Sequence, residues 1–189
     1  MVAEPIEIWT PKEMGKLLSV AEGDFVPVLA IGAFAGLRTS EVLALDWRDV
    51  RLKDRTIKVV HRKVRCAGTR LAPIPDNLFT WLSPLARKTG PVWPRGLEWK
   101  ERERTMTAVQ NATAEAAGLL PWRHNSLRHS FCTFRVAATQ DVPRTALEAG
   151  NSAATIFSHY RALATEAQGK VWFAIVPPRP APEALGHSL

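Results

Sequence analysis

The segment from Phe25 to Leu37 constrains the fold most strongly, because it is almost wholly apolar. It is too short to span the hydrocarbon core of a bilayer, which needs about 20 residues. A helix over Phe25–Ala35 that is apolar on all sides must be surrounded by other elements, and Gly36 is expected to end it. The segment therefore predicts a central core helix in one domain, a size that 189 residues allow.

Local start and stop signals predict further helices around this segment. Thr10-Pro11-Lys12-Glu13 has the form of a capping box with proline at the first helical position, and it begins a helix that runs to about Ala21. The remaining helices are expected over residues 40–47, 76–86, 98–117, 126–139, 144–149 and 153–167, with Thr39, Asp76, Asn125 and Ser152 as N-caps and with Gly118 and Gly150 at C-terminal ends.

Between residues 49 and 74 the apolar pattern changes to period two, which is typical of strands. Residues 49–52, 56–60 and 70–74 are expected to pair as a small antiparallel sheet. Pro73 in the last strand favours a place at the edge, since proline donates no ladder hydrogen bond. The sequence thus predicts a mainly α fold with a small antiparallel β-sheet (α+β).

Composition and the N-terminal sequence indicate which kind of partner the chain binds and in which compartment it is found. Lys and Arg number 25 against 18 Asp and Glu, and a net charge of +7 suits a polyanion such as nucleic acid. The two cysteines, Cys66 and Cys132, form no disulfide framework, and no Cys/His cluster has zinc spacing, so we expect no metal. The N-terminus has no apolar signal region, and we expect a cytoplasmic protein with no membrane partner.

Three separated segments combine polar residues with helix starts: residues 35–41, 127–131 and 150–160. Arg38 and Arg128 fall near helix N-termini, where backbone N–H groups already favour an anion. Two guanidiniums can bind one phosphate through paired hydrogen bonds, and both stay charged at any working pH. Glu41, three residues after Arg38, is placed to orient that arginine.

Four motifs, in order, resemble the catalytic domain of the tyrosine recombinases, also called phage integrases, over about residues 10–173. AFAGLRTSEVLALDWRDV is similar to the first arginine box, KVRCAGTRLAPIP to the β-hairpin that carries the catalytic lysine, SLRHSFCTF to the second arginine box, and GNSAATIFSHYRAL to the box that carries the tyrosine. The resemblance implies the DNA breaking-rejoining fold over residues 1–176. Residues 177–189 are rich in proline, and we expect them to form a mobile tail.

The resemblance also implies a reaction. Tyr160 would attack a DNA phosphodiester and form a 3′-phosphotyrosine with release of a 5′-hydroxyl, without metal, ATP or other cofactor. Tyr160 is the only tyrosine of the chain, and its spacing from Gly150 fits the family pattern. The alternative is that Tyr160 is a core aromatic residue whose hydroxyl only makes a structural hydrogen bond. The spacing from Gly150 disfavours this alternative.

The family pattern assigns the remaining roles. Arg38 and Arg128 are the two catalytic arginines, and Glu41 supports the first. Lys63 is the predicted catalytic lysine, which would protonate the leaving 5′-oxygen, and Arg65 is the alternative for that position. The basic hairpin supplies the expected DNA-binding residues Arg62, Arg65 and Arg70.

Two positions depart from the pattern. Asn125 and Asn151 stand where the family usually has histidine, or tryptophan at the second position, and asparagine cannot accept a proton at neutral pH. The base that activates the tyrosine is then His124 from the neighbouring position, His129, His159 or water, or activity is weak. Both asparagines can also be read as helix caps alone.

The resemblance implies double-stranded DNA as the partner and a site-specific recombinase or integrase of a phage or mobile element. Two alternatives remain: a DNA-binding accessory protein with weak or lost catalysis, and a type IB topoisomerase-like enzyme. The family acts as a tetramer on DNA, and the isolated domain can be monomeric. The apolar stretch over residues 171–176 suits exchange with a neighbour or packing on its own domain.

Overall fold

The computed structural model describes residues 6–60, 68–160 and 163–178, which form a mainly helical domain with a three-stranded antiparallel sheet. The predicted fold class is confirmed. In chain order the elements are α1 (Pro11–Val20), α2 (Phe25–Ala35), α3 (Thr39–Leu43), a 3-10 turn (Trp47–Asp49), β1 (Val50–Arg51), β2 (Thr56–Val60), β3 (Thr69–Pro73), α4 (Asp76–Leu82), α5 (Trp99–Ala116), α6 (Ser126–Thr139), α7 (Val142–Ala149), α8 (Ala153–Tyr160) and α9 (Glu166–Phe173).

Helix α2 is the centre of the main core, as the sequence predicts. Every residue of α2 except Val26 is buried, and the helix packs against α4 and α6. It ends where Gly36 adopts a left-handed conformation with φ of +67°. Glycine adopts this conformation without the penalty that a Cβ atom brings.

The sheet has the order β1-β2-β3, so β3 lies at an edge, as its proline predicts. Ile57 of β2 pairs with Ala72 of β3, and Val59 pairs with Arg70. Side chains alternate between the two faces of a strand, so Arg70 lies on the same inward face as the buried Ala72. This register directs Arg70 towards the helices.

Three predicted helix starts differ in detail. Arg38, not Thr39, is the N-cap of α3, because the Glu41 carboxylate accepts a hydrogen bond from the Arg38 backbone N–H. Pro75, not Asp76, precedes α4 in an extended conformation. Asn125 does occupy the N-cap position of α6, but it has φ of +52° and its side chain makes no capping hydrogen bond.

The single helix expected over residues 153–167 is wrong, because residues 163–165 are not helical and α9 begins anew after them. The Thr165 side chain accepts from the Gln168 N–H, and the Gln168 side chain accepts from the Thr165 N–H. This reciprocal capping box marks a genuine helix start. Helix α7 also begins two residues earlier than expected, because the Asp141 side chain caps it.

Helix α9 packs on its own domain. Of the two interpretations of the apolar stretch over residues 171–176, this favours packing within the domain over exchange with a neighbour. Trp172 is fully buried, stacks on Phe134 with ring centroids 4.5 Å apart, and donates from Nε1 to the Ala33 carbonyl oxygen at 3.0 Å. Gly169 allows this approach, since a Cβ there would lie 2.7 Å from the Ala138 backbone nitrogen. The α9 backbone therefore lies directly against α6.

Within the described ranges, no helix is both long enough and apolar enough to cross a membrane. The tail expected from residue 177 lies, beyond Pro178, outside the described residues. Its mobility stays a prediction.

Candidate active site

Arg128 is held by backbone carbonyls from two parts of the chain. Its Nη1 donates to the Ala149 oxygen at 2.6 Å and to the Gly36 oxygen at 2.8 Å, and its Nη2 lies 3.4 Å from the Gly150 oxygen. The residue is buried, and burial lowers the pKa of its guanidinium to about 10. Arg128 thus remains a fixed cation at neutral pH, in the first turn of α6 as the sequence predicts.

Arg38 reaches the same turn from the start of α3. Its Nη2 donates to the Gly150 oxygen at 3.0 Å and to Asn151 Oδ1 at 3.2 Å. Its Nη1 donates to Glu41 Oε1 at 3.1 Å, which is the orientation expected for these two residues. The Arg38 side chain retains 37% exposure, so it is open to an incoming anion while its position is fixed.

Gly150 is the point at which both arginines meet. Its carbonyl oxygen accepts from Arg38 and from Arg128. Its φ is +66°, and a Cβ on this residue would lie about 3.0 Å from the Cδ and Nε atoms of Arg70. Both the backbone conformation and the surrounding space therefore favour glycine here.

Glu41 lies beneath Arg38 and binds a second arginine. Both of its carboxylate oxygens accept from Arg70, at 2.7 Å from Nη1 and 2.8 Å from Nη2. Burial opposes ionisation of Glu41, but the hydrogen bonds from Arg70 and the Arg38 backbone and the charges of both arginines outweigh it and lower its pKa to about 2. Glu41 is therefore a carboxylate throughout the working pH range.

Tyr160 packs among α6, α7 and α8, and its hydroxyl lies 2.7 Å from His129 Nδ1. Burial and the nearby Cys132 raise the pKa of Tyr160 to about 12, against the opposing charges of Arg128 and Arg38. Burial, followed by the charge of Arg128, lowers the pKa of His129 below its usual value. At neutral pH the pair is a protonated tyrosine beside a neutral imidazole.

The other two candidate histidines lie elsewhere. His124 is exposed, and together with Asn125 and Arg38 it lines a groove of about 400 Å³ between α3, α5 and the loop before α6. His159 is exposed, and its ring meets the Tyr160 ring edge-on with centroids 6.4 Å apart. Among the described histidines, His129 makes the hydrogen bond to the tyrosine hydroxyl.

The two asparagines that depart from the expected motif pattern, Asn125 and Asn151, differ in their surroundings. Asn151 binds Arg38, whereas the N-terminus of α8 is capped by Ser152, whose Oγ accepts from the Thr155 N–H at 3.1 Å. The interpretation of Asn151 as a helix cap is therefore wrong. Asn125 is exposed on the rim of the groove.

The hairpin candidates are only partly placed. Lys63, Arg62 and Arg65 lie outside the described residues, and their roles stay predictions. Arg70 is described, and the structure places it against Glu41 with its side chain 11% exposed. Its expected contact with DNA also stays a prediction. Within the described part of the chain, no three His, Cys, Asp or Glu side chains are grouped to hold a metal ion.

Sequence reasoning missed the carbonyl groups of Gly36, Ala149 and Gly150 as ligands of the arginines, and it missed the pairing of Arg70 with Glu41. Carbonyl groups have no sequence signature. The ion pair joins residues 29 positions apart, so no local pattern indicates it.

A model of the phage integrase family matches residues 10–165. An uncharacterized protein, y4gA of Sinorhizobium fredii, is 29% identical over 90 residues, which are 42% of this chain and 47% of that protein. The match thus spans about half of that relative.

Two solved structures are similar over most of this chain. XerA recombinase has a TM-score of 0.68 at 17% identity, covering 94% of this chain and 68% of its own. The XerH site-specific recombinase, bound to a palindromic difH substrate in a post-cleavage complex, has a TM-score of 0.62 at 18% identity, covering 89% of this chain and 54% of its own. At these identities the similarity shows the shared fold.

Proposed function

The chain belongs to the phage integrase family, and we propose that it is a site-specific DNA recombinase that cleaves and rejoins strands through a phosphotyrosine on Tyr160. One observation carries the proposal. Arg128 and His129 are consecutive residues, and the second binds the Tyr160 hydroxyl while the first lies with Arg38 on the Gly150 carbonyl. Adjacent residues of α6 thus supply a proton acceptor for the tyrosine, His129, and a cation for the phosphate, Arg128.

The arginines would bind the scissile phosphate. Apart from Arg38 Nη1, which binds the Glu41 carboxylate, their terminal nitrogens now donate to neutral carbonyl oxygens. A phosphate oxygen is a stronger acceptor than these because it is charged. Negative charge grows on the phosphoryl oxygens as the nucleophile attacks, and two fixed cations stabilise that charge without rearrangement. Asn151 and Glu41 keep Arg38 in place for this role.

The tyrosine must lose its proton during attack. His129 Nδ1 is placed to accept that proton while the Tyr160 oxygen bonds to phosphorus and the bond to the 5′-oxygen breaks. The leaving 5′-oxygen takes a proton, for which Lys63 is the proposed donor. The 5′-hydroxyl of the same or another strand then reverses the step, so the phosphoester bond is conserved.

The proposed partner is double-stranded DNA. The net charge of +7 favours a polyanion, and the similar XerH recombinase is bound to its difH substrate. Action as a tetramer on DNA is part of the proposal. Exchange between two sites distinguishes recombination from type IB topoisomerase-like relaxation, which a monomer performs without site dependence.

The test is covalent trapping on nicked duplexes of randomised sequence, from which the short 5′-hydroxyl fragment diffuses away after cleavage. We expect a denaturant-resistant protein–DNA adduct with the wild type. Tyr160→Phe should form none, since it lacks the attacking oxygen, while its DNA affinity should stay within about twofold. An adduct with Tyr160→Phe would show that another residue is the nucleophile. No adduct with the wild type on any duplex would contradict the proposed function.

A further inference from the structure

Arg70 forms a bidentate ion pair with Glu41 beside the candidate active site. Its two terminal nitrogens bind the two oxygens of Glu41 at 2.7 and 2.8 Å. This bidentate arrangement is the strongest form of an arginine–carboxylate pair. The side chains of Arg70 and Glu41 are 11% and 6% exposed, so solvent weakens the pair little.

Glu41 has a weaker charge contact with Arg38. A single Arg38 nitrogen, Nη1, reaches the carboxylate at 3.1 Å, and the other contact comes from the Arg38 backbone N–H at 2.9 Å. The Arg38 side chain is also more than three times as exposed as that of Arg70, at 37% against 11%. Of these two arginines, Arg70 therefore compensates the Glu41 charge more strongly.

The charge balance of these three residues has a chemical consequence. One carboxylate between two guanidiniums leaves a net charge of +1, and that charge belongs to Arg38, the more exposed of the two. We propose that Arg70 is a positioning residue of the cleavage reaction: it neutralises Glu41, so that Glu41 holds Arg38 by hydrogen bonds without cancelling its charge towards the phosphate. This inference rests on the proposed function.

Direct binding of DNA by Arg70 fits the structure less well. Both terminal nitrogens bind Glu41, and Nε donates to the Glu148 carbonyl oxygen at 3.2 Å. A phosphate that took Arg70 from Glu41 would leave a buried carboxylate without its main partner. The desolvation of that carboxylate opposes the exchange.

Arg70 also touches the turn that joins the two arginines. Its Nε bond to the Glu148 carbonyl links β3 to the end of α7, and its Cδ and Nε atoms lie beside Gly150. The Glu148 carboxylate is held separately by Arg135, at 2.7 and 2.8 Å. A structural role for Arg70 at the turn is therefore the alternative that an experiment must separate from charge neutralisation.

The charge model predicts a specific pattern in a double-mutant cycle. Arg70→Met removes the bidentate partner of Glu41 and leaves more of its charge to act on Arg38. We expect cleavage at saturating DNA to slow by roughly 10- to 100-fold, which is less than the roughly 100- to 1000-fold lost when a direct donor to a developing charge is removed. Glu41→Gln removes the charge that needs neutralising. In the Glu41→Gln background, Arg70→Met should therefore change the rate by less than about threefold.

The experiment measures single-turnover adduct formation and equilibrium affinity on the same nicked duplex for the four chains of the cycle. Arg87→Met is the matched control, since it removes the same charge from an exposed pair with Asp24. Thermal unfolding of each variant shows whether it folds. The Arg70→Met variant could fail to fold. The double variant lacks the Glu41 carboxylate, and comparing its rate with that of Glu41→Gln still separates charge neutralisation from a structural role of Arg70.

Three results would overturn the inference. An Arg70→Met variant with weaker affinity, a smaller salt dependence and an unchanged rate at saturation would make Arg70 a phosphate contact. A double variant more than tenfold slower than Glu41→Gln would make Arg70 a structural support of the turn. A rate and affinity equal to those of Arg87→Met would leave Arg70 without a role in the reaction.

Failure of the proposed function is recognised separately, by a wild type that forms no adduct. The inference is then tested with inorganic phosphate, followed through the side-chain ¹⁵N resonances of Arg38 and Arg128. We expect phosphate to bind more weakly to Arg70→Met than to the wild type, and the double variant to regain the affinity. Equal phosphate affinity in the wild type and Arg70→Met would overturn the inference.

Discussion

The hydrogen bond between His129 and Tyr160 joins two groups whose pKa values are displaced in opposite directions. Burial lowers the pKa of His129 and raises that of Tyr160 to about 12. Between those two values the imidazole is neutral and the phenol is protonated, which is the pair that proton transfer requires. We expect the cleavage rate to be nearly constant from pH 7 to about pH 9 and to fall in acid as His129 becomes protonated.

Substitution of His129 tests its role as the base. His129→Gln keeps a hydrogen-bonding side chain but cannot take the proton, and we expect adduct formation to slow on the order of 100-fold. The fall of the rate at acidic pH should also disappear, because it reports protonation of His129. His159→Ala, which changes the exposed neighbour of Tyr160, should alter the rate by less than about twofold. A His129→Gln variant with the wild-type rate and pH profile would indicate that water or another group takes the proton.

Individual positions of the candidate site were accessible from the sequence, but their contacts were not. The motifs indicate Arg38, Glu41, Arg128 and Tyr160 because each belongs to a local pattern. The contact of Tyr160 with His129 joins residues 31 positions apart and depends on how α8 packs on α6. Spacing along one helix carries no information about such packing.

The turn between α7 and α8 is the element on which the arginines depend, and two glycines allow a matched test. Gly150 and Gly118 have φ of +66° and +67°, but a Cβ would meet Arg70 at Gly150 and nothing within 4 Å at Gly118. Alanine at either position carries a similar backbone penalty, about 1–2 kcal/mol per residue.

We expect Gly150→Ala to slow adduct formation at least tenfold and to cost more stability than Gly118→Ala, which should keep the wild-type rate. Urea unfolding and single-turnover cleavage measure the two effects. Equal rates in the two variants would mean that the turn does not position the arginines.

Element prediction succeeded where local chemistry and packing agree. The bounds of α2 and β2 follow from the sequence because apolar periodicity and the flanking turn residues point to the same ends. The separation of α8 from α9 was missed because the segment around residues 161–167 is rich in good helix formers such as alanine and leucine. The capping box of Thr165 and Gln168 was visible in the sequence and would have placed the second helix start.

At the scale of the whole molecule, the last described helix, α9, packs on α6, and this close packing depends on Gly169. A Cβ at Gly169 would lie 2.7 Å from Ala138 N and 2.8 Å from Phe134 O, both backbone atoms that cannot rotate away. We expect Gly169→Ala to lower the free energy of unfolding by about 1–3 kcal/mol, as overpacking does.

Gly15 provides the control for this prediction, since it lies within α1 with nothing within 4 Å of a Cβ. Gly15→Ala should stabilise the protein by up to about 1 kcal/mol through helix propensity. Urea unfolding compares the two variants. A Gly169→Ala variant as stable as Gly15→Ala would show that α9 is not held against α6 in solution.

The two arginines that share the Gly150 carbonyl also repel each other, and the charge of Arg38 contributes to the lowered pKa of Arg128. A doubly charged oxyanion placed between them relieves that repulsion in the folded chain alone, so linkage requires the melting temperature to rise with its concentration. We expect saturable thermal stabilisation by sulfate at constant ionic strength, and none in Arg38→Ala. Occupancy of the proposed phosphate site can thus be followed by calorimetry without any DNA.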